Sequence, residues 1–146
     1  MKMQVLYTEK KEGKRDNPEI LAERVSREFK SRGDKIPPAY PCDNERLAII
    51  ICENYGEIDK RLVNFSKDLY KQRAANVALI VLSKDGQADI GELKGIFEKN
   101  GVAIAGTLGL EVKKGLFSAA KLTEDQFTES VAFARKVVEA LFDVID

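Results

Sequence analysis

The sequence predicts a doubly wound α/β domain on a five-stranded parallel sheet, with strands in the order 2-1-3-4-5. Short apolar runs alternate with amphipathic stretches along the whole chain, the pattern of a parallel sheet with right-handed helical crossovers. The runs that begin near Met3, Leu47 and Val77 are continuously apolar, as in strands covered on both faces. The run that should form the second strand carries Pro37, Pro38 and Pro41, which cannot supply central ladder hydrogen bonds, so it belongs at an edge.

Met3 to Thr8 reads as the first strand. Asn17-Pro18-Glu19 reads as a helix start, with Asn17 as N-cap and Pro18 at the first helical position. Ile20, Leu21, Val25 and Phe29 share one helical face, and Gly33 is expected to close the helix. Asp34 to Cys42 should hold a short edge strand, and Leu47 to Cys52 the third strand. A helix is expected from Ile58 to Arg73, then a buried strand from Val77 to Leu82. Ile90, Leu93, Ile96 and Phe97 mark the next helix, ended by Gly101. Val102 to Ala105 gives a short fifth strand, followed by a loop containing Gly106, Gly109 and Gly115. Thr123 and Gln126 form a capping box for a last helix that turns Phe127, Val131, Ala134, Val138 and Leu141 inward.

A chain of 146 residues, 44% apolar and 33% charged, fits one domain over residues 1–146 with one sizeable core. The 24 basic and 24 acidic residues balance, which argues against a dedicated nucleic-acid binder. No apolar run approaches the ~18 residues of a membrane span, and no signal-peptide pattern opens the chain, so the expectation is a cytoplasmic protein off the membrane. With no histidine and only Cys42 and Cys52, zinc sites and imidazole-based catalysis are disfavoured. Those cysteines should end strands two and three, ~9–10 Å apart across strand one. That exceeds the ~7 Å reach of a disulfide, so both are expected to be free thiols.

The strand order places a ligand crevice where the first and third strands diverge. The loop after the third strand reads Glu53-Asn54-Tyr55-Gly56-Glu57: an aromatic face for a planar ring, beside a glycine that can reverse its peptide cheaply. The plain alternative is an ordinary turn, since Asn-Tyr-Gly-Glu is good turn chemistry. The loop after the first strand runs from Thr8 through Lys10, Gly13 and Lys14 to Asn17. Its glycine, lysines and helix start could grip an anion, or the stretch could be a solvated charged loop. The loop after the fourth strand, with Ser83, Asp85 and Gly86, could bond a ligand edge through its backbone but offers no aromatic.

Tyr55-Gly56-Glu57 resembles the Trp-Gly-Asp segment of flavodoxins, with tyrosine for tryptophan and glutamate for aspartate. The segment after strand five, running into Leu122-Thr123-Glu124, is also similar to small members of that family. The resemblance implies a flavodoxin-like three-layer sandwich of the short-chain type that binds FMN and transfers electrons. Its partner would be a reductase or an acceptor oxidoreductase, with exposed Phe117 and the loop lysines as candidate contacts. It further implies that Tyr55 flanks the isoalloxazine ring, that the Gly56 carbonyl accepts a hydrogen bond from the reduced ring, and that Thr8, Lys10, Gly13, Lys14 and Asn17 lie at the phosphate. Asn54, Glu57, Ser83, Asp85 and Gly86 would complete the site. The first loop departs from the family's Ser/Thr-x-Thr-Gly-x-Thr turn: it is longer, and only Asn17 matches.

Two other readings stand beside the electron carrier. One is an accessory or docking module of the same fold that binds no flavin, favoured by the altered first loop. The other is a cysteine-based enzyme at Cys52, against which the apolar strand around that thiol favours a packing role. A phosphoryl-receiver domain is excluded, because the third strand ends in Cys52-Glu53 and offers no aspartate acceptor.

Overall fold

Six consecutive buried residues, Leu47 to Cys52, make the third strand the axis of the molecule. The computed structural model describes residues 1–10, 15–113, 115 and 119–142. Its strands are β1 (Met3–Tyr7), β2 (Arg32–Lys35), β3 (Leu47–Asn54), β4 (Asn76–Ser83) and β5 (Ala103–Glu111). Its helices are α1 (Asn17–Glu28), α2 (Lys60–Lys67), α3 (Leu93–Lys99) and α4 (Glu124–Leu141). The sheet is parallel in the order β2-β1-β3-β4-β5, as the sequence predicts.

Pleating sends alternate residues to opposite faces, so one strand feeds two cores. Ile49 and Ile51 face Leu21, Val25, Phe127 and Ala134 of α1 and α4. Ile50 and Cys52 face Leu62, Leu93 and Phe97 of α2 and α3. No described helix is long and apolar enough to cross a membrane.

Several element boundaries differ from the sequence reading, each for a local reason. Asp16 takes the N-cap position of α1, and Asn17 is the first helical residue. The Asn17 amide instead donates to the Ala120 carbonyl at 2.8 Å, tying α1 to the approach to α4. α1 ends at Glu28, where Lys30 adopts φ 50° and the Ser31 N–H donates to the Ser26 carbonyl. Gly33 therefore lies inside β2, opposite Val5, and the proline-rich segment with Cys42 follows that strand.

α2 is shorter than its apolar spacing suggests. The Asn100 amide, at the far end of α3, donates to the carbonyls of Ser66 and Leu69, each at 3.0 Å, and so satisfies the helix end from outside. β5 is longer than expected, because Gly106 and Gly109 are strand residues rather than loop breakers. Ala105 is the extra residue of a bulge between the pairs Val77–Ile104 and Ala78–Gly106. A Cβ on Gly109 would collide with the Gly86 carbonyl and lie 2.8 Å from the Ala88 nitrogen, so the loop after β4 can settle only against a glycine. The Thr123–Gln126 capping box forms, and the Gln126 amide also donates to the Glu111 carbonyl at 2.7 Å.

Both cysteines are free and buried. Burial, then the Glu53 charge, pushes the Cys52 thiol up to about 12. Burial, then the Glu45 charge, raises Cys42 to about 11 from its ordinary 9.0, and its thiol donates to Gln4 Oε1 at 3.0 Å.

The Gly109→Ala variant should lose about 2 kcal/mol or more of stability in urea unfolding, by overpacking. Gly95→Ala, on open α3 surface, should gain roughly 0.5–1 kcal/mol. Because both thiols are held neutral in the fold, the unfolded chain ionises first as pH rises above 9.0. The urea midpoint should therefore fall between pH 9 and 11, and neither thiol should react with a thiol reagent at pH 8 until the chain unfolds.

Candidate functional site

At the carboxyl end of β3 the chain reverses at once: Asn54 bridges antiparallel to Ile58, leaving Tyr55, Gly56 and Glu57 at the tip. One side chain holds this reversal. Asn54 Oδ1 accepts the Gly56 N–H at 3.1 Å, and Asn54 Nδ2 donates to the Asp89 carbonyl at 2.9 Å. The turn after β3 is thereby tied to the loop after β4. Gly56 has φ 146° with nothing within 4 Å of a would-be Cβ, so the backbone conformation, not crowding, calls for glycine.

Tyr55 is half-buried against the core on the α1/α4 face. Burial raises its hydroxyl pKa, followed by the charge of Glu53, a hydrogen bond to Glu53, and the charge of Asp16. The Lys10 ammonium lies 5.9 Å from the ring centroid, on a flexible stem across the exposed part of the ring.

Between this tip and the loop after β1 lies a cleft of about 510 Å³, lined by Thr8, Lys10, Glu53, Tyr55, Gly56, Glu57, Asp59 and Lys60. Its size falls in the range of small-molecule sites. Thr8 is buried at its floor, its N–H donating to the Ile51 carbonyl at 3.1 Å. The far wall is braced by Arg61, which donates to the Glu9 carbonyl and pairs with Asp59 at 3.1 Å. Burial alone would raise Asp59, but the Arg61 hydrogen bonds and charge outweigh it and hold the carboxyl below its usual range.

Tyr55 and Gly56 also wall a second hollow of about 380 Å³, with Asn54, Ser83, Lys84, Asp85, Gln87 and Asp89. The loop there is self-bonded: Ser83 Oγ donates to the Gln87 carbonyl at 2.9 Å, and Asp85 Oδ1 accepts the Gln87 N–H at 3.0 Å. Gly86 turns toward β5, away from this hollow.

The structure thus gathers Thr8, Lys10, Tyr55, Gly56 and Glu57 around one cleft and sets Asn54, Ser83 and Asp85 beside it. Asn17 is drawn off to Ala120. Gly13, Lys14 and Phe117 lie outside the described residues. Of the residues that line the cleft, sequence reading missed Glu53, Asp59 and Lys60. Two of them carried a signal: Glu53 shares the pleat parity of Ile49 and Ile51, and Asp59 stands just before the first residue of a helix, as an N-cap does.

Asp16 holds the N-cap position of α1, outside the lining of the cleft, and its side chain makes no hydrogen bond to the helix start. Burial raises its pKa against the pull of the backbone N–H groups of Asp16 and Glu19 and of Lys10. Its Oδ1 is buried without a hydrogen-bond partner among the described residues. An FMN ring would meet Tyr55 and Gly56 on one wall of the cleft, while the start of α1 lacks one backbone donor for a phosphate, at Pro18.

No family model matches the chain, and no curated protein matches it by sequence. Solved structures do. The oxidised flavodoxin 1 of Bacillus cereus superposes with a TM-score of 0.66 at 14% identity, covering 97% of this chain and all of that one. The flavodoxin of Streptococcus pneumoniae TIGR4 gives 0.60 at 13%, covering 94% and 98%. The two-electron reduced flavodoxin of Megasphaera elsdenii gives 0.60 at 15%, covering 91% and 98%. Likeness at these identities establishes the fold.

Proposed function

We propose, from the premise that this chain has a flavodoxin-like fold, that it holds a flavin ring in the cleft beside Tyr55 and serves as an electron carrier to a partner oxidoreductase. The observation that carries the reading is the open slot between the loop after β1 and the Tyr55-Gly56 tip, at the point where β1 and β3 diverge. FMN is the flavin that the family resemblance names. A bound flavin supplies reversible one-electron chemistry; the protein supplies orientation and electrostatics.

Tyr55 offers its ring as one stacking wall, and Lys10 swings aside or covers the opposite edge. Gly56 presents backbone polar groups to the ring edge, in a turn that Asn54 keeps from drifting. Glu53, Glu57 and Asp59 line the same cleft and disfavour the gain of further negative charge there. A reductase or acceptor would reach the ring edge through the mouth of the cleft.

A second reading, an accessory module without flavin, is favoured by one observation: Pro18 leaves the start of α1 without one of the backbone donors that an anion would use.

Lumiflavin, the ring without a tail, separates the two readings. On the carrier reading its fluorescence is quenched on titration with the protein, and Tyr55→Ala weakens binding by about 1 kcal/mol, roughly fivefold, or more. Unchanged affinity in Tyr55→Ala would displace the ring from this wall, and no quenching at all would favour the module.

A further inference from the structure

We propose that the outer edge of β5 joins the same edge of a second copy of this chain, antiparallel about a two-fold axis near Gly106, to make a closed dimer.

The two edges of the sheet are built differently. β2 is four residues long, and Arg32, Asp34 and Lys35 are charged. Pro37, Pro38 and Pro41 follow it, and the Asp34 carboxylate accepts the N–H groups of Lys35 and Ala39 at 2.8 and 2.7 Å. Shortness, charge and proline are the devices that keep an edge strand from pairing. β5 has none of them: it is nine residues long and carries no charge and no proline from Ala103 to Leu110. It pairs with β4 on one side, and among the described residues no backbone pairs with the other. The bulge at Ala105 leaves Gly106 to Glu111 in regular register with β4. Such an edge is a template for another strand.

The helix above that edge says which strand. The Gln126 amide reaches the Glu111 carbonyl, and the Phe133 ring lies over Gly106, 3.1 Å from a would-be Cβ. These two positions mark the flank of α4 that is turned to β5. The opposite flank is tied to α1 through the pairs Arg24–Glu124 and Arg135–Glu28. Glu129 and Lys136 lie on the β5 flank about one turn to either side of Phe133. Both are exposed, and neither has an ion pair among the described residues.

A two-fold axis perpendicular to the sheet keeps each helix layer on its own face and sets α4 antiparallel to α4 of the second copy. Because Gly106 lies under Phe133, one axis serves both strand and helix. Around it the two Phe133 rings come side by side, and Glu129 of each copy faces Lys136 of the other. The charges on this flank complement themselves, which favours a second copy over an unrelated strand. The blunted β2 edges then lie at the outer ends, so assembly stops at two. The Tyr55 cleft stays open at the divergence of β1 and β3, and the dimer does not depend on what that cleft holds.

Sedimentation velocity over roughly 1 to 200 μM chain tests the assignment. The wild type should pass from monomer to dimer in that range, with no larger species. Thr107→Lys, at an exposed β5 position, should weaken the dimer on the order of tenfold or more, because two ammonium groups then meet across the axis. Glu129→Lys and Lys136→Glu should each weaken it about tenfold, since both symmetric pairs become repulsive. An equimolar mixture of those two variants should regain the wild-type affinity as a heterodimer, in which every facing pair again joins opposite charges. That recovery also shows that both variants are folded. A wild type monomeric throughout the range overturns the proposal, as does a dimer that Thr107→Lys leaves intact. A mixture no tighter than its separate components overturns the two-fold arrangement, and species that grow beyond two overturn its closure.

Discussion

The Asn54 amide is the interaction on which the candidate site depends. By accepting from Gly56 and donating to Asp89, it fixes the one turn that divides the two hollows at the top of the sheet. Without it, Tyr55 and Gly56 would be a surface loop on a mobile tip. With it, they form a wall at a set height above β1 and β3. The rest of the fold serves that placement. β3 is buried on both faces, so its end cannot shift, and the β4 loop that receives the Asn54 hydrogen bond is itself seated on Gly109. A chain of contacts therefore runs from the sheet edge at β5 to the ring wall at Tyr55.

Charged side chains set the character of the cleft. Near Tyr55 the acids line the wall but Asp59 is compensated by Arg61, which also braces the loop after β1 through the Glu9 carbonyl. At the start of α1, beyond that lining, burial holds the Asp16 carboxyl above its usual range. A doubly wound sheet ordinarily offers its first helix to an anion. In this chain that helix start carries Asp16 and Pro18, so the architecture is kept while the donors it offers differ.

The architecture was legible in the sequence because two-sided burial leaves a plain mark: Leu47 to Cys52 and Val77 to Leu82 allow no reading but central parallel strands, and three prolines force their segment outward. The boundaries were less legible, for reasons that are long-range. α2 stops where it does because Asn100, over thirty residues away, satisfies its carbonyls. β5 runs through Gly106 and Gly109 because Phe133 and the Gly86 carbonyl lie close above them, contacts that no local pattern announces. The Tyr55-Gly56 tip was visible from its composition and strand-end position. The Asp16 N-cap was not, since Asn17 directly before Pro18 reads as the cap by pattern.

Backbone amide chemical shifts of the isotope-labelled protein, followed as lumiflavin is added, test most directly whether a planar ring occupies the cleft. The account predicts ring-current shifts at Thr8, Tyr55, Gly56 and Glu57, with little change along α3 or at the β2 edge. Shifts confined to the hollow around Pro38, Phe65 and Arg73, on the opposite face of the sheet, would contradict it.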